Sequence, residues 1–317
     1  MHRAKTTRYN AFALREWYDC LTKYLESAGY TRIPSDPCVY ILKKQVNGKV
    51  LFVCFWVDDF LIAGNRELVD KFKADMKSKF KMKDLGATRQ FLGMEVYRNR
   101  ESRTIHLTQK VYIKELLSRF NCMDIAGKMT PHIFGQDLSV KHLELPGPVE
   151  QERLKLIPYS EAVGSLLHLA GFTRPDISAA VGPLCSYVQN PRLIHWAAVK
   201  RILSYLQATS NHGILLGGLN ASQHPIILQA YADADWAAHI DTRRSRTGYI
   251  TQLNGSTIGY RTELQPTVAL SSTESEYQSA CASIREIMWQ RQLLDGLSQK
   301  QTGATILFED NQGCSNI

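Results

Sequence analysis

Apolar positions recur along the chain with two periods, and the switches between them predict the element order. Residues 11–28 carry a helical period that stops at Gly29, a residue suited to a helix end. Two β-rich runs follow, 38–43 and 49–63, with Asn47-Gly48 between them as a hairpin signal. Asp58 and Asp59 interrupt the second run, which resumes as apolar residues 60–63. That is a strand–turn–strand pattern with two carboxylates at the bend. A helix is predicted over 66–80, with Val69, Phe72, Met76 and Phe80 turned to a core and lysines on the other faces. Residues 90–107 read as a hairpin, and 108–120 as a helix with Thr108 as its N-cap.

Residues 121–157 have no period and contain Pro131, Pro146 and Pro148, which marks them as a linker. Three helical stretches come next, 159–170, 175–188 and 192–207. Pro175 sits at an early helical position, and Trp196, Val199, Leu203 and Leu206 form an apolar stripe. From 225 the period changes to that of strands: 226–231, 247–253 and 256–264, the last two joined by Asn254-Gly255. A long helix over 273–294 and a strand over 304–308 complete the order. The fold class expected is α/β (α+β).

Composition excludes several classes. The 317 residues are 44% hydrophobic and 21% charged, so a disordered or fibrous chain is ruled out. The longest apolar run, 50–57, is far short of the roughly 20 residues of a membrane span. No apolar signal segment opens the chain, and the seven cysteines are scattered, never CxxC. An intracellular protein, cytoplasmic or nuclear, with free thiols is expected. The net charge of +8 is unevenly spread. Residues 1–119 hold 23 Lys/Arg against 13 Asp/Glu, or +10, and the remainder is slightly acidic. A polyanion-binding surface therefore belongs to the first third. Lys71, Lys73, Lys77, Lys79, Lys81 and Lys83 lie there, and taken by themselves they read first as a solvated helix face.

Three acidic positions in the last third share a logic. Asp233 follows an apolar strand, Glu276 lies early in the long helix, and Asp310 ends the final strand. Carboxylates on strand ends and a helix start can converge, and hard divalent cations such as Mg²⁺ take such oxygens. The competing reading is ordinary: Glu near a helix start answers the helix dipole, and Asp at a strand end is a turn residue. His132 and His142 lack metal-ligand spacing, and His168 and His195 lie on apolar helices and read as packing or capping residues.

The blocks at 231–237, 242–250, 271–277 and 309–313 (YADADWA, TRRSRTGYI, SSTESEY, EDNQG) resemble the ribonuclease H domain of copia-type retrotransposon polyproteins. The block at 55–64 (FWVDDFLIAG) resembles the reverse transcriptase aspartate box, with Trp56 where Tyr is usual. Residues 84–96, 159–165, 173–177 and 195–201 match the same family, so the resemblance spans about 17–316. It implies a partial polymerase palm with thumb over 1–120, a linker over 121–157, a helical connection over 158–224 and a C-terminally truncated ribonuclease H-like mixed sheet over 225–317. It also implies that Asp233, Glu276 and Asp310, with Asp58 and Asp59, are catalytic metal ligands for two Mg²⁺ sites. Glu274 is a near neighbour of the expected ligand.

On the same resemblance the lysines of 71–83 face nucleic-acid phosphates, and so do Arg243 and Arg244 (with Arg246 beside them), three arginines that read equally as a solvated turn. The partners implied are an RNA–DNA hybrid, a template–primer duplex and the remaining parts of the polyprotein, with no membrane. The family's stretch before Trp17 is lost here, where 9–15 reads YNAFALR. The strand with the third polymerase aspartate would precede Met1, and the fourth nuclease carboxylate would follow Ile317. A fragment without autonomous polymerase activity is expected. A catalytically dead nucleic-acid-binding remnant or a domesticated binding module is the alternative.

Overall fold

The computed structural model describes residues 11–43, 48–141, 144–218 and 226–315. Asn47, His142 and the end of the family resemblance at 316 lie outside them. The chain is mixed α and β, with helices and antiparallel sheets, and it divides into two compact units. One runs to Phe91 and includes Trp289–Thr302; the other holds Leu92–Met288 and Gly303–Ile317. Among the described residues no helix is long and apolar enough to cross a membrane.

In the first unit, helix α1 (Ala11–Ser27) is followed by strands β1 (Thr31–Arg32), β2 (Val39–Lys43), β3 (Val50–Trp56) and β4 (Asp59–Gly64). Helix α2 (Arg66–Lys79) and the short β5 (Gln90–Phe91) come next. Strands β1–β4 form an antiparallel sheet in sequence order. Alternation in β3 turns Leu51, Val53 and Phe55 inward, where they meet Leu21 and Leu25 of α1. From α2 come Leu68, Phe72 and Met76. The helix is rotated slightly from the sequence expectation: Leu68 takes the fully buried place, and Val69 and Phe80 are half-buried. Gly64 ends β4 where a Cβ would overlap the carbonyl oxygen of Val50.

The second unit opens with β6 (Met94–Asn99), β7 (Thr104–Thr108) and α3 (Lys110–Arg119). Thr108 is not the N-cap of α3. It ends β7, and its hydroxyl donates to the buried carboxylate of Glu95 at 3.2 Å. Glu95 in turn accepts the Val111 N–H at 2.8 Å, so a side chain from β6 satisfies one of the orphan donors of α3.

The stretch read as linker contains α4 (Pro148–Lys155), and Ile125 and Leu138 pack on the neighbouring helical core. That core is built by α3, α5 (Tyr159–Phe172), α6 (Ser178–Cys185) and α7 (Leu193–Ala208). Pro175 opens a single 3₁₀ turn before α6. Beside this turn the fully buried Arg174 bonds Asp176 in a bidentate pair and both oxygens of Thr209.

The strands after the helices are β8 (Ile214–Gly217), β9 (Leu228–His239), β10 (Arg244–Leu253) and β11 (Ser256–Leu264). Helix α8 (Ser272–Gly296), strand β12 (Ile306–Phe308) and helix α9 (Gln312–Ser315) end the described chain. β8 has no counterpart in the sequence pattern; it extends the hairpin β6–β7. The last sheet has the order β11-β10-β9-β12, antiparallel except for β12, which runs parallel to β9. Asn254 and Gly255 turn β10 into β11, both with positive φ. Ala232, Tyr249 and Ala282 form the small core between this sheet and α8.

Candidate functional site

Three elements of the second unit bring Asp233, Glu276 and Asp310 together. Asp233 lies inside β9 rather than after it, because that strand continues to His239. Small residues Ala230, Ala232 and Ala234 take the buried positions, and Asp233 and Asp235 take the exposed ones between them. β12 pairs with β9 through Phe308 and Tyr231, whose rings stack at 4.8 Å. Continuing that parallel register by two residues sets Asp310 beside Asp233. Asn311 then braces α9. Its carboxamide oxygen accepts the Cys314 N–H at 2.9 Å and lies 3.5 Å from the Thr273 hydroxyl of α8. Gly313 is needed here, since a Cβ would come within 2.9 Å of that hydroxyl.

The start of α8 separates its two glutamates. The Ser271 hydroxyl accepts the Glu274 N–H at 3.1 Å, and the Glu274 carboxylate accepts the Leu270 N–H at 2.7 Å. Ser271 thus caps a helix N–H, and the Glu274 side chain reaches back to the residue before that cap. Glu274 is thereby committed to the helix end, and Glu276 is the glutamate that faces the aspartates. The S-x-x-E spacing at 271–274 is the signal in the sequence that separates them.

One oxygen from each of Asp233, Glu276 and Asp310 lies within 4.8 Å of the other two, and this is the single such group among the described residues. Glu276 is buried, and its Oε2 has no hydrogen-bond donor. Burial first, then the nearby carboxylates of Glu309, Asp233 and Asp310, push its pKa up to about 7. Glu309, which the sequence reading did not single out, is raised for the same leading reason. The Ala234 N–H is the backbone donor to Glu276, and a buried carboxylate oxygen left without one among like charges is a costly arrangement that a bound cation relieves. Three hard oxygens, with room for water, suit Mg²⁺.

The other expected site residues are placed differently. Asp58 lies in the turn between β3 and β4 and Asp59 begins β4, both exposed. No third carboxylate joins them among the described residues. The turn itself is constrained. Val57 has φ +56, unusual for a β-branched residue, and its carbonyl accepts the Trp17 indole N–H at 2.7 Å.

On and beside α2, Lys71, Lys79, Lys81 and Lys83 are exposed. Lys73 and Lys77 lie 3.1 and 3.8 Å from Asp84. The Gly86 N–H and then Lys73 hold the Asp84 carboxyl below its usual range. Arg243 is exposed in the turn before β10 with φ +57. Arg244 donates to the Gln265 carbonyl, and the guanidinium of Arg246 abuts Gly182 of α6. Of the three arginines, Arg243 is the one exposed to solvent.

Comparison with known proteins identifies the class. Residues 10–134 match the family described as reverse transcriptase (RNA-dependent DNA polymerase). The chain is 40% identical over 309 residues to the retrovirus-related Pol polyprotein from transposon TNT 1-94 of Nicotiana tabacum, covering 96% of this chain and 22% of the relative. It is 35% identical over 307 residues to that from transposon RE2 of Arabidopsis thaliana, covering 96% and 20%. An uncharacterized mitochondrial protein of Arabidopsis thaliana is 32% identical over 240 residues, 75% of this chain and 94% of that protein. The chain belongs to the family of copia-type retrotransposon Pol polyproteins and includes a reverse transcriptase-like region. It spans about a fifth of the length of the polyprotein relatives. No solved structure matches it.

Proposed function

We propose that residues 225–317 form the ribonuclease H-like part of this polyprotein, with Asp233, Glu276 and Asp310 as its Mg²⁺ ligands. The observation that carries the reading is the convergence of these three carboxylates, one of them buried with an oxygen that has no donor. They bind the cation between β9, the end of β12 and the start of α8; Asp233 and Asp310 are exposed, so a nucleic acid strand has access. A Mg²⁺ ion there supplies Lewis-acid stabilisation of the charge that develops on a phosphodiester under attack by water. The substrate class is the RNA strand of an RNA–DNA hybrid, inferred from the family. Residues 1–120 are proposed as palm and thumb, 121–157 as linker and 158–224 as the connection. Asp58 and Asp59 lie at the polymerase aspartate box.

The test uses the full chain. Mg²⁺ is expected to raise the melting temperature of the wild type and to support cleavage of a hybrid, with both effects lost in Asp233→Asn and Asp310→Asn. Equal melting temperatures with and without Mg²⁺, together with no cleavage difference between wild type and Asp233→Asn, would remove the reading.

A second reading is supported by the exposed lysines of α2 and residues 81–83: a nucleic-acid-binding surface that acts without turnover. Binding of a hybrid that is unchanged by Asp233→Asn, without cleavage by either protein, would favour it.

A further inference from the structure

Two uncharged side chains lie fully inside the fold beside the acidic group. Gln265 follows β11 and is 1% exposed; Ser279, one turn beyond Glu276 on α8, is wholly buried. The Gln265 carboxamide donates to the Ser275 carbonyl at 2.8 Å and to the Thr247 hydroxyl at 3.1 Å. Its backbone N–H donates to the Ser245 carbonyl at 2.9 Å, and its own carbonyl accepts Arg244. Its Oε1 is buried without a donor, an unfavourable state for a polar atom. An apolar side chain of the same length would avoid that cost, so the carboxamide has to be explained by what its N–H groups hold. The Ser279 hydroxyl lies 2.6 Å from the Asp233 carbonyl and 3.1 Å from that of Gly248, the residue paired with Asp233 on β10.

The placement of these bonds is specific. The Ser275 carbonyl belongs to the peptide unit that leads into Glu276. The Asp233 carbonyl belongs to the peptide unit that leaves Asp233. Each of two facing carboxylates is thus one peptide unit from a buried hydrogen bond that fastens α8 to the sheet. Both bonds join α8 to the sheet side of the fold. Ala232 and Ala282, which meet between helix and sheet, are too small to interlock strongly.

We infer that Gln265 and Ser279 are positioning residues of the acidic centre, setting the separation of Glu276 and Asp233 by holding their backbones. The inference rests on the Mg²⁺ reading above. A metal site tolerates only a few tenths of an ångström in ligand spacing, so loosening the helix weakens the ion more than it weakens the fold. Arg244 serves the same end by holding the Gln265 backbone, which accounts for its being turned away from solvent.

The experiment measures Mg²⁺ affinity from the metal dependence of the melting temperature of the full chain. It compares wild type, Gln265→Met, Ser279→Ala, Thr247→Val and Asp233→Asn. Thr247→Val breaks the Gln265 bond that touches neither carboxylate-bearing element's first turn, and so reports a purely structural loss. Gln265→Met and Ser279→Ala are expected to weaken Mg²⁺ about tenfold, the low end for outer partners of metal ligands. Thr247→Val is expected to lower the metal-free melting temperature and to leave affinity within twofold. Affinities of Gln265→Met and Ser279→Ala within twofold of wild type would overturn the inference. If Gln265→Met does not fold, Ser279→Ala decides by the same criterion. A wild type that gains no stability from Mg²⁺ would remove the parent reading and this one together; loss in Asp233→Asn alone would remove only this one.

Discussion

His195 is wholly buried, and its hydrogen bonds fix its protonation. The Arg192 N–H donates to Nδ1 at 2.9 Å, so Nδ1 carries no proton, and Nε2–H donates to the Leu138 carbonyl at 2.8 Å. Tyr187 stacks on the ring at 4.0 Å and bonds Asp241 through its hydroxyl. Burial is the main cause that holds the imidazole below its ordinary pKa of 6.5. The sign follows from linkage. Below pH 6.5 the unfolded chain takes up a proton that the folded chain refuses, so stability is lost as pH falls from there toward the depressed value. The contribution is at most about 1.4 kcal/mol per pH unit. Urea midpoints measured between pH 7.5 and 5 are expected to fall more steeply in the wild type than in His195→Asn. That variant is less stable at pH 7.5 but has no imidazole to charge. Parallel slopes would show that His195 is not the group responsible.

At the scale of elements, Glu95 shows how a helix can be capped from outside its own sequence. The carboxylate accepts from Thr108, from Tyr97 and from the Val111 N–H, and it is 7% exposed. Glu95→Ala leaves a buried hydroxyl and a helix N–H without an acceptor, and is expected to cost about 2–4 kcal/mol in urea unfolding. Glu95→Gln, which keeps an acceptor, is expected to cost less than half of that. Equal losses would assign the effect to charge rather than to capping.

Periodicity exposed most helices, because their apolar faces repeat at a fixed spacing, and the Asn254-Gly255 turn, because its backbone demands those residues. It failed where partners are remote in sequence. Thr108 looked like a cap because nothing local reveals that Glu95 does that work. β8 is four residues long and owes its strand form to pairing with β7. β9 runs on to His239 because β10 stays paired with it through a bulge, which no local pattern announces. The three carboxylates were legible through their motifs. Gln265 and Ser279 were not, since an isolated Gln or Ser carries no signal until the helix is seen against the sheet.

For the whole molecule, the charge imbalance has a definite location. The +10 of residues 1–119 includes α2 and the residues after it, where Asp84 already occupies Lys73 and Lys77. Exposed ion pairs of this kind contribute little to stability, but they reduce the charge available to a polyanion. Duplex binding is therefore expected to depend on Lys71, Lys79, Lys81 and Lys83. Changing these four to Gln should lower the slope of log affinity against log salt by about 0.9 for each phosphate they neutralise. Changing Lys73 and Lys77 should alter it by less. Fluorescence anisotropy of a labelled hybrid across a salt series checks this, and an unchanged slope in the fourfold variant would exclude this stretch as the binding surface.

The cap at the start of α8 also acts as a phase marker. Residues two apart on an α-helix point about 200° away from each other, so Glu274 and Glu276 cannot exchange tasks by a small rotation. With Ser271 and Glu274 locked to the helix end, the direction of Glu276 is counted off from that end. A one-residue insertion between Glu274 and Glu276 would swing every later side chain by about 100° and carry Ser279 off the Asp233 carbonyl along with it. Point changes at Ser275 leave that count intact. This stretch therefore constrains length more tightly than identity, so gain or loss of a single residue would damage it more than most substitutions.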